Sequence, residues 1–169
     1  MPPQDLEQLY DRHAAGLFAF LMTLIRDESE TRDILQEIFI RLARRPDLLA
    51  GVQREREFLL RLAHNQAIDQ LRRRNSRARA HTAMGQEATS PFAPASDPDQ
   101  AAYRDQLADA LGELPEEQRA VVHLKLWEGL TFDAIASLLG LSPNTAASRY
   151  RYGVDKLRER LRPLYDEIR

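Results

Sequence analysis

Apolar residues recur at three- and four-residue intervals along most of the chain, which is the spacing of helices with one buried face. No stretch alternates apolar and polar residues as a half-buried strand does, and Val and Ile are scarce. The pattern therefore predicts an all-α fold. Its first three stripes predict helices with these buried residues: Leu9, Leu17, Phe18, Leu21, Leu24 and Ile25; then Ile34, Leu35, Ile38, Phe39 and Leu42; and then Phe58, Leu59, Leu62, Ala63, Ile68 and Leu71.

Capping and stop signals mark the breaks between these helices. The Asp27 carboxylate can accept a backbone N–H at the start of the second helix, with Glu30 in the capping-box position, for about 1 kcal/mol. Pro46 ends that helix, and a loop around Gly51 leads to the third. The apolar stripe of the third helix ends where a run of arginines begins at Arg72.

Residues 80–100 (AHTAMGQEATSPFAPASDPDQ) show no helical period and carry three prolines among many small residues. This composition is typical of a flexible linker. The chain has 169 residues, which is long enough for two small domains. We therefore expect two small helical domains, at 1–79 and 101–169, joined by the flexible linker 80–100.

The C-terminal domain carries the start and stop signals of a helix-turn-helix. Thr131 can cap a short helix, Gly140 can take the left-handed conformation of the turn, and Ser142 can cap a long helix. The small Ala136 allows the two helices to cross closely. The other apolar positions of this domain are Leu107, Leu111, Val121, Val122, Leu126, Ile135, Leu138, Leu139, Ala146, Tyr150 and Leu157, with a break at Leu114 and Pro115.

The net charge of −2 conceals alternating blocks of opposite sign. Residues 1–53 sum to −3, 54–79 to +5, 80–118 to −7 and 119–169 to +3, so an acidic block separates two basic ones. Nearly all the basic residues are arginines, whose planar guanidinium groups suit phosphates and guanine edges. A bias toward arginine codons would give the same excess.

Composition excludes several classes of protein. Without cysteine the chain has no disulfide framework and no thiol catalysis, which suits a cytoplasmic location. No apolar run approaches the roughly 18 to 20 residues of a membrane span, so we expect no membrane insertion. The histidines are dispersed and no phosphate-cradling glycine loop is present. We therefore do not expect an enzyme, a cofactor, a metal site or a small-molecule substrate.

Two residues could suggest other chemistry. His64 with Asp69 could form a metal pair, but a polar helix face is the more frequent arrangement. Trp127 is interpreted as a core anchor at a helix end rather than as a stacking platform. Neither residue changes the expectation of a non-enzymatic helical protein.

The long helix after the turn carries candidate DNA-contacting residues. If Ala146 and Tyr150 face the core, polar and basic residues occupy the other sides of its N-terminal part, which a recognition helix inserts into the major groove. An ordinary helix hairpin with a solvated face is the alternative, as a solvated helix end is for the arginine run. The candidates on this helix are Asn144, Thr145, Ser148, Arg149 and Arg151.

Four stretches, in this order, resemble the extracytoplasmic-function (ECF) sigma factors, the smallest members of the main bacterial sigma family. They are LYDRHAAGLFAFL (9–21), RDILQEIFIRL (32–42), FLLRLAHNQAIDQLRRRNSR (58–77) and LGELPEEQRAVVHLKLWEGLTFDAIASLLGLSPNTAASRYRYGVDKLRERL (111–161). The resemblance covers almost the whole chain. It implies two helical domains that bind core RNA polymerase and direct it to promoter DNA, under the control of an anti-sigma factor.

The resemblance also implies a role for each candidate surface. The second helix would dock on the polymerase clamp, the third would engage the minus-ten element beside a base pocket in the loop 47–57, and the helix after the turn would read the minus-thirty-five element. The implied polymerase-binding residues are Asp33, Gln36, Glu37, Phe39 and Arg41. The implied minus-ten residues are Asn65, Asp69, Arg72, Arg73 and Arg74, and the implied minus-thirty-five residues are Asn144, Thr145, Ser148, Arg149 and Arg151.

The chain departs from the family pattern at Phe58, where Trp is usual, and at His64 and Tyr152, where Arg is common. A conventional dimeric helix-turn-helix regulator, with residues 1–79 as a dimerisation or sensing module, is the rival hypothesis. Such a regulator would bind a palindrome without polymerase. A sigma factor binds promoter DNA well only within the holoenzyme.

Overall fold

The computed structural model describes residues 3–79 and 97–168, and within these ranges it contains seven α-helices and no strand. The all-α prediction is therefore confirmed. The chain divides into two compact units, Met1–Glu87 and Ala88–Arg169. The first contains α1 (Pro3–Ile25), α2 (Glu28–Arg44), a short 3-10 helix (Pro46–Leu49) and α3 (Glu55–Ala78), and the second contains α4 (Pro98–Glu113), α5 (Glu116–Leu126), α6 (Phe132–Leu139) and α7 (Pro143–Ile168).

The core of the first unit lies where its three long helices meet, since each of them contacts the other two. The predicted stripes of α1 and α2 are buried, except that Phe18 is only half-buried. The covered side of α3 differs somewhat from the predicted one, because this helix must contact both of its neighbours. Its buried residues are Leu59, Leu60, Ala63 and Ala67, and the predicted Phe58, Leu62, Ile68 and Leu71 are half-buried.

The junction between α1 and α2 contains half of the predicted capping box. Asp27 accepts the backbone N–H of Glu30 at 2.8 Å and is the N-cap of α2, as predicted. The Glu30 carboxylate, however, accepts a hydrogen bond from the guanidinium of Arg74 in α3. The same guanidinium donates to the backbone oxygen of Ile25, the last residue of α1, at 3.0 Å. Arg74 therefore fastens α3 to both neighbouring helices.

The segment between α2 and α3 contains less loop than the predicted 47–57. α2 ends at Arg44, ahead of Pro46 as predicted. Pro46 then opens the 3-10 helix, because its fixed φ suits a first helical position. Gly51 makes the following turn with a φ of +74°. Because α3 begins at Glu55, only residues 50–54 lie between the 3-10 helix and α3.

The second unit is built around α7, which contacts α4, α5 and α6. Apolar residues of α4, α5 and α7, with Leu114 between α4 and α5, form one buried cluster. Leu126 does not join this core as its apolar position suggested: it is 51% exposed, because α5 ends at this residue. The buried residues of the cluster are Ala110, Leu111, Leu114, Val122 and Leu157.

The boundary of the second unit differs from the prediction. α4 begins at Pro98, where Asp97 caps it by accepting the backbone N–H of Asp99 at 3.1 Å. Residues 98–100 of the predicted linker are therefore helical, because an acidic cap followed by proline is a strong helix start. The other residues of that linker, 80–96, lie outside the described residues.

The helix-turn-helix is present at the predicted residues. The Thr131 hydroxyl accepts the N–H of Ala134 at 3.1 Å, and Gly140 ends α6 with a φ of +71°. The Ser142 hydroxyl accepts the N–H of Thr145 at 3.1 Å and caps α7. These three local signals therefore fix the direction in which α7 leaves the turn.

Close packing against α5 fixes the side of α7 that faces the core. Ala146 is fully buried and Tyr150 is half-buried, its ring centroid 5.6 Å from that of Phe132, so both point inward as predicted. Gly153 was not singled out by the sequence pattern. A Cβ there would lie 2.7 Å from Cγ2 of Val122, so only glycine allows this approach of α7 to α5.

Candidate DNA and polymerase interfaces

Four arginines at the end of α3 form a surface that we call the α3 basic end: Arg72, Arg73, Arg77 and Arg79. All four are exposed, and none forms an ion pair with any residue of 3–79 or 97–168. An unpaired guanidinium keeps all of its N–H donors for a ligand. Four such groups so close together attract polyanions strongly and can contact several phosphates at once.

Two polar residues extend this surface along α3. Asn65 and Asp69 are exposed, and they precede Arg72 and Arg73 at the spacings that place residues on one side of a helix. The fold thus brings four of the five residues with an implied minus-ten role onto one exposed face. An amide and a carboxylate among arginines add hydrogen-bonding groups that can distinguish bases.

Arg74, the fifth of these residues, lies on the opposite side of α3. It is in helical register with the buried Ala63 and Ala67, and its side chain is 28% exposed. Its contacts with Ile25 and Glu30 occupy both terminal nitrogens of the guanidinium. The helical register from Ala63 and Ala67 is the sequence signal that could have separated Arg74 from its neighbours.

α7 presents a second polar face. Asn144, Ser148 and Arg151 follow one another at four- and three-residue spacing, on the side opposite the buried Ala146 and Gly153. Asn144 and Arg151 are exposed, and Ser148 is half-buried. Arg151 forms no ion pair within the described part of the chain. An amide, a hydroxyl and a guanidinium in one row can donate to or accept from base edges.

The other two candidates on α7 lie at the edge of this face. Thr145 and Arg149 are half-buried, between the exposed and the buried sides. The Thr145 hydroxyl is 2.8 Å from the Ser142 hydroxyl, so the helix cap uses part of its hydrogen-bonding capacity. The row of Asn144, Ser148 and Arg151 is therefore the centre of the face, and these two residues form its border.

α2 carries the residues with an implied polymerase-binding role on two adjoining surfaces. Asp33, Glu37 and Arg41 are exposed to solvent. Gln36 and Phe39 line a groove of about 540 Å³ between α1 and α2. Phe39 is only 7% exposed, and its ring meets that of Tyr10 edge to face at 4.9 Å between centroids. The remaining groove residues are Leu6, Tyr10, Arg32, Leu35, Ile40 and Ala43.

Neither a metal cluster nor a helix able to span a membrane occurs in the described part of the chain. Burial lowers the pKa of His64, so its imidazole is neutral at pH 7. Asp69 lies five residues further along α3 and therefore on another side of the helix. The two residues do not form the metal pair considered from the sequence.

Trp127 does not have the predicted role of a core anchor. It is 38% exposed at the C-cap of α5, with its ring centroid 5.3 Å from that of His123. The prediction was wrong because α5 ends at Leu126, one residue before Trp127, and the chain turns there toward α6. The ring lies over the helix end rather than within the cluster of α4, α5 and α7.

Comparisons with known families assign both units. Residues 9–77 match the family described as Sigma-70 region 2, and residues 104–157 match Sigma-70, region 4. These ranges contain α3 with its basic end up to Arg77, and α6 and α7 up to Leu157. The chain thus combines two sigma regions in the order that its four sequence stretches suggested.

Relatives and a solved structure match nearly the whole chain. The ECF RNA polymerase sigma factor SigL of Mycobacterium tuberculosis is 33% identical over 94% of this chain and 90% of its own length. The RNA polymerase sigma factor CarQ of Myxococcus xanthus is 33% identical over 96% of this chain and 92% of its own. The fold resembles that of the sigma factor RpoE from Bartonella quintana, crystallised with the anti-sigma factor NepR, with a TM-score of 0.80, 20% identity and coverage of 94% of this chain and 98% of RpoE.

The chain belongs to the ECF RNA polymerase sigma factors. Identity of 33% over almost the full length, together with both sigma regions, carries this assignment. The protein is a transcription initiation factor that directs RNA polymerase to promoters. The sigma-factor hypothesis is therefore confirmed in preference to the conventional regulator.

Proposed function

We propose that the two units of this sigma factor divide promoter recognition between them. In this proposal residues 1–79 bind core polymerase and the minus-ten element, the unit that begins with α4 binds the minus-thirty-five element, and the segment between α3 and α4 connects them. The observation that carries it is that each unit presents exposed arginines without ion pairs, on a helix whose other side is buried. Such faces are rigid supports for nucleic-acid contacts.

The α3 basic end is suited to DNA whose strands are being separated. Its charges lie close together, which favours phosphate contacts, and Asn65 and Asp69 lie along the same face. Extruding a base costs a few kcal/mol, and phosphate contacts can offset that cost. In our proposal Arg72 and Arg73 bind the backbone while Asn65 and Asp69 contact bases. Arg74 then supports this face from behind through Glu30.

The polar face of α7 is suited to duplex DNA. It lies in the N-terminal half of the second helix of a helix-turn-helix, the part that enters the major groove. Arg151 can form a bidentate contact with guanine, and Asn144 can contact adenine or a phosphate. The α7 N-terminus, capped by Ser142, favours a phosphate nearby. We propose that Thr145, Ser148 and Arg149 complete this interface.

The exposed face of α2 is the proposed polymerase-docking surface. Asp33, Glu37 and Arg41 provide charged contacts, and the adjoining groove offers the apolar ring of Phe39 beside the polar amide of Gln36. A polar rim beside an apolar centre is the usual anatomy of a protein interface. Because Phe39 is largely buried, we expect it to shape the groove more than to protrude into the partner.

We further propose that the protein acts in the cytoplasm, has no catalytic activity of its own, and is held inactive by an anti-sigma factor. The solved structure of RpoE with NepR supports the last point, since the two sigma folds are alike. A protein encoded beside this one, added to a reconstituted transcription reaction, should suppress initiation. Undiminished transcription with every such neighbour would contradict the regulatory part of the proposal.

Transcription from defined promoters tests the division of labour. The protein is mixed with bacterial core polymerase and genomic fragments, and transcript starts are mapped. One strong promoter is then remade with its upstream or its downstream element scrambled. For the variant Asn144→Ala/Arg151→Ala, scrambling the upstream element should no longer change the amount of transcript, whereas scrambling the downstream element should still reduce it. Arg72→Ala/Arg73→Ala should show the reverse.

Arg162→Ala is the matched control, because it removes an exposed arginine of α7 outside both faces. Its promoter preferences should equal those of the unaltered protein. Absence of any start site above core polymerase alone would overturn the function itself. Equal loss of both preferences in both double variants would overturn only the division between the units.

A further inference from the structure

Arg151 is in contact with an aromatic ring on the DNA-facing part of α7. Its guanidinium carbon lies over the ring of Tyr152, 5.4 Å from the ring centroid. Tyr152 is 56% exposed and Arg151 is exposed too, so the pair lies at the surface where a ligand can reach it. The hydroxyl of Tyr152 has no hydrogen bond with any described residue. The pair is therefore a preformed unit on an otherwise polar surface.

The contact changes what Arg151 can do. A guanidinium that lies over an aromatic ring is attracted to it by a cation–π interaction, while its N–H donors lie in the plane of the group and remain available to a ligand. Those in-plane donors are the ones that bind the two acceptors of a guanine edge. The ring also favours some arginine rotamers over others before binding, so less conformational entropy is lost when the base contact forms.

The arginines of the α3 basic end provide a contrast within the same chain. Arg72 and Arg73 are exposed, and no aromatic ring of the described residues contacts them. They stay free to follow phosphates, whose positions vary little with sequence. Arg151 alone among these three has an aromatic neighbour, and a contact that favours one orientation is useful for recognising a particular base.

We propose that Tyr152 is a positioning residue for Arg151 and sets the strength of the preference for guanine at one base pair of the upstream element. The inference rests on the proposed role of α7 in reading that element. Tyr152 acts through the aromatic ring, so the hydroxyl is dispensable. The base pair is the one whose preference disappears when Arg151 is removed.

A promoter library with every position of the upstream element randomised in turn tests this. Holoenzyme containing each variant initiates on the library, and base preferences are read from the transcripts. Tyr152→Phe keeps the ring and should retain the guanine preference. Tyr152→Leu should weaken it about 2- to 5-fold, the range of an exposed cation–π contact, without changing other positions. Tyr165→Leu, at a 67% exposed tyrosine of the same helix, is the matched control.

A double variant shows whether Tyr152 acts through Arg151. Arg151→Ala should reduce the same preference about 5- to 150-fold, and adding Tyr152→Leu should reduce it no further. An additional loss in the double variant, or a guanine preference unchanged in Tyr152→Leu, would overturn the inference. If the unaltered protein showed no preference at any upstream position, the proposed role of α7 would fail instead.

Discussion

The two helices proposed to contact DNA are held in place by different means. α3 is fixed near its end by a polar contact, because Arg74 reaches the backbone of Ile25 and the carboxylate of Glu30. α7 is fixed at its start by the Ser142 cap and further along by the close approach of Gly153 to Val122. The position of α3 thus depends on the long side chain of Arg74, whereas that of α7 depends on the missing side chain of Gly153.

The exposed faces of the two helices differ in a corresponding way. The α3 basic end is densely charged, whereas the polar face of α7 spaces an amide, a hydroxyl and one guanidinium along a row. Dense charge gives affinity that depends strongly on salt, and spaced hydrogen-bonding groups give sequence preference. In the proposed division, arginine binds phosphates on α3 and a base on α7, whereas Arg74 supports the fold from within.

The largest effect is expected from removing the support of α3. Arg74→Ala leaves Glu30 and the Ile25 carbonyl without their shared partner and should lower the stability of the first unit by about 2 to 3 kcal/mol. Arg73→Ala, the adjacent exposed control, should change it by less than about 0.5 kcal/mol. Thermal unfolding followed by circular dichroism measures both. Equal stabilities for the two variants would remove the distinction between support and surface.

A smaller effect is expected at the close approach of α7. Gly153→Ala forces Val122 to shift, and overpacking costs about 1 to 3 kcal/mol. Alanine regains up to about 1 kcal/mol of helix propensity, so a net loss of about 1 kcal/mol is expected. The single tryptophan, Trp127, lies in this unit, so its fluorescence should report the change. A stabilised Gly153→Ala variant would show that the approach is not constrained.

The salt dependence of DNA affinity should differ between the α3 basic end and the polar face of α7. Arg73→Ala should reduce the slope of log affinity against log salt concentration by about 0.7 to 0.9 if its guanidinium contacts one phosphate. Ser148→Ala should leave the slope unchanged, because it removes no charge. Promoter binding by the holoenzyme, titrated between low and moderate salt, gives both slopes. Identical slopes for the two variants would contradict the contrast in charge density.

The smallest effect concerns pH and the first unit alone. Burial lowers the pKa of His64 in the folded state relative to the unfolded chain. The contribution of the neutral imidazole to the free energy of unfolding is therefore fully present above about pH 6.5. It is lost as the pH falls through the lowered pKa, because the unfolded chain then binds the proton more readily. His64→Gln should therefore weaken the decline in unfolding free energy below pH 6.5. An unchanged decline would assign it to other groups.

Local signals in the sequence were sufficient to predict where the helices start and where the turn of the helix-turn-helix lies. Asp27, Thr131, Gly140 and Ser142 act within four residues of themselves, so their roles could be predicted from the chain alone. The resemblance of four stretches was sufficient for the family, and hence for the two sigma regions that were later matched. Both predictions depend on neighbours in sequence or on the order of motifs.

The roles of Arg74, Gly153 and Trp127 depend on what lies across the fold. Arg74 bonds to a residue 49 positions away, and Gly153 is constrained by a methyl group on another helix. Trp127 is exposed because α5 ends at Leu126, so the tryptophan follows the helix instead of lying on its buried side. Periodicity alone cannot supply such information, since it gives the buried side of a helix but not the neighbour that covers it.

The Arg74 contact also bears on the order in which the first unit assembles during synthesis. α1 and α2 are neighbours in sequence and can pair early, whereas Arg74 must wait until α3 has emerged almost entirely from the ribosome. Its partners lie 44 and 49 positions upstream, so the formation of these two contacts is a late, long-range step. The nascent pair of α1 and α2 is therefore expected to remain accessible to proteases and chaperones until Arg74 has emerged from the ribosome.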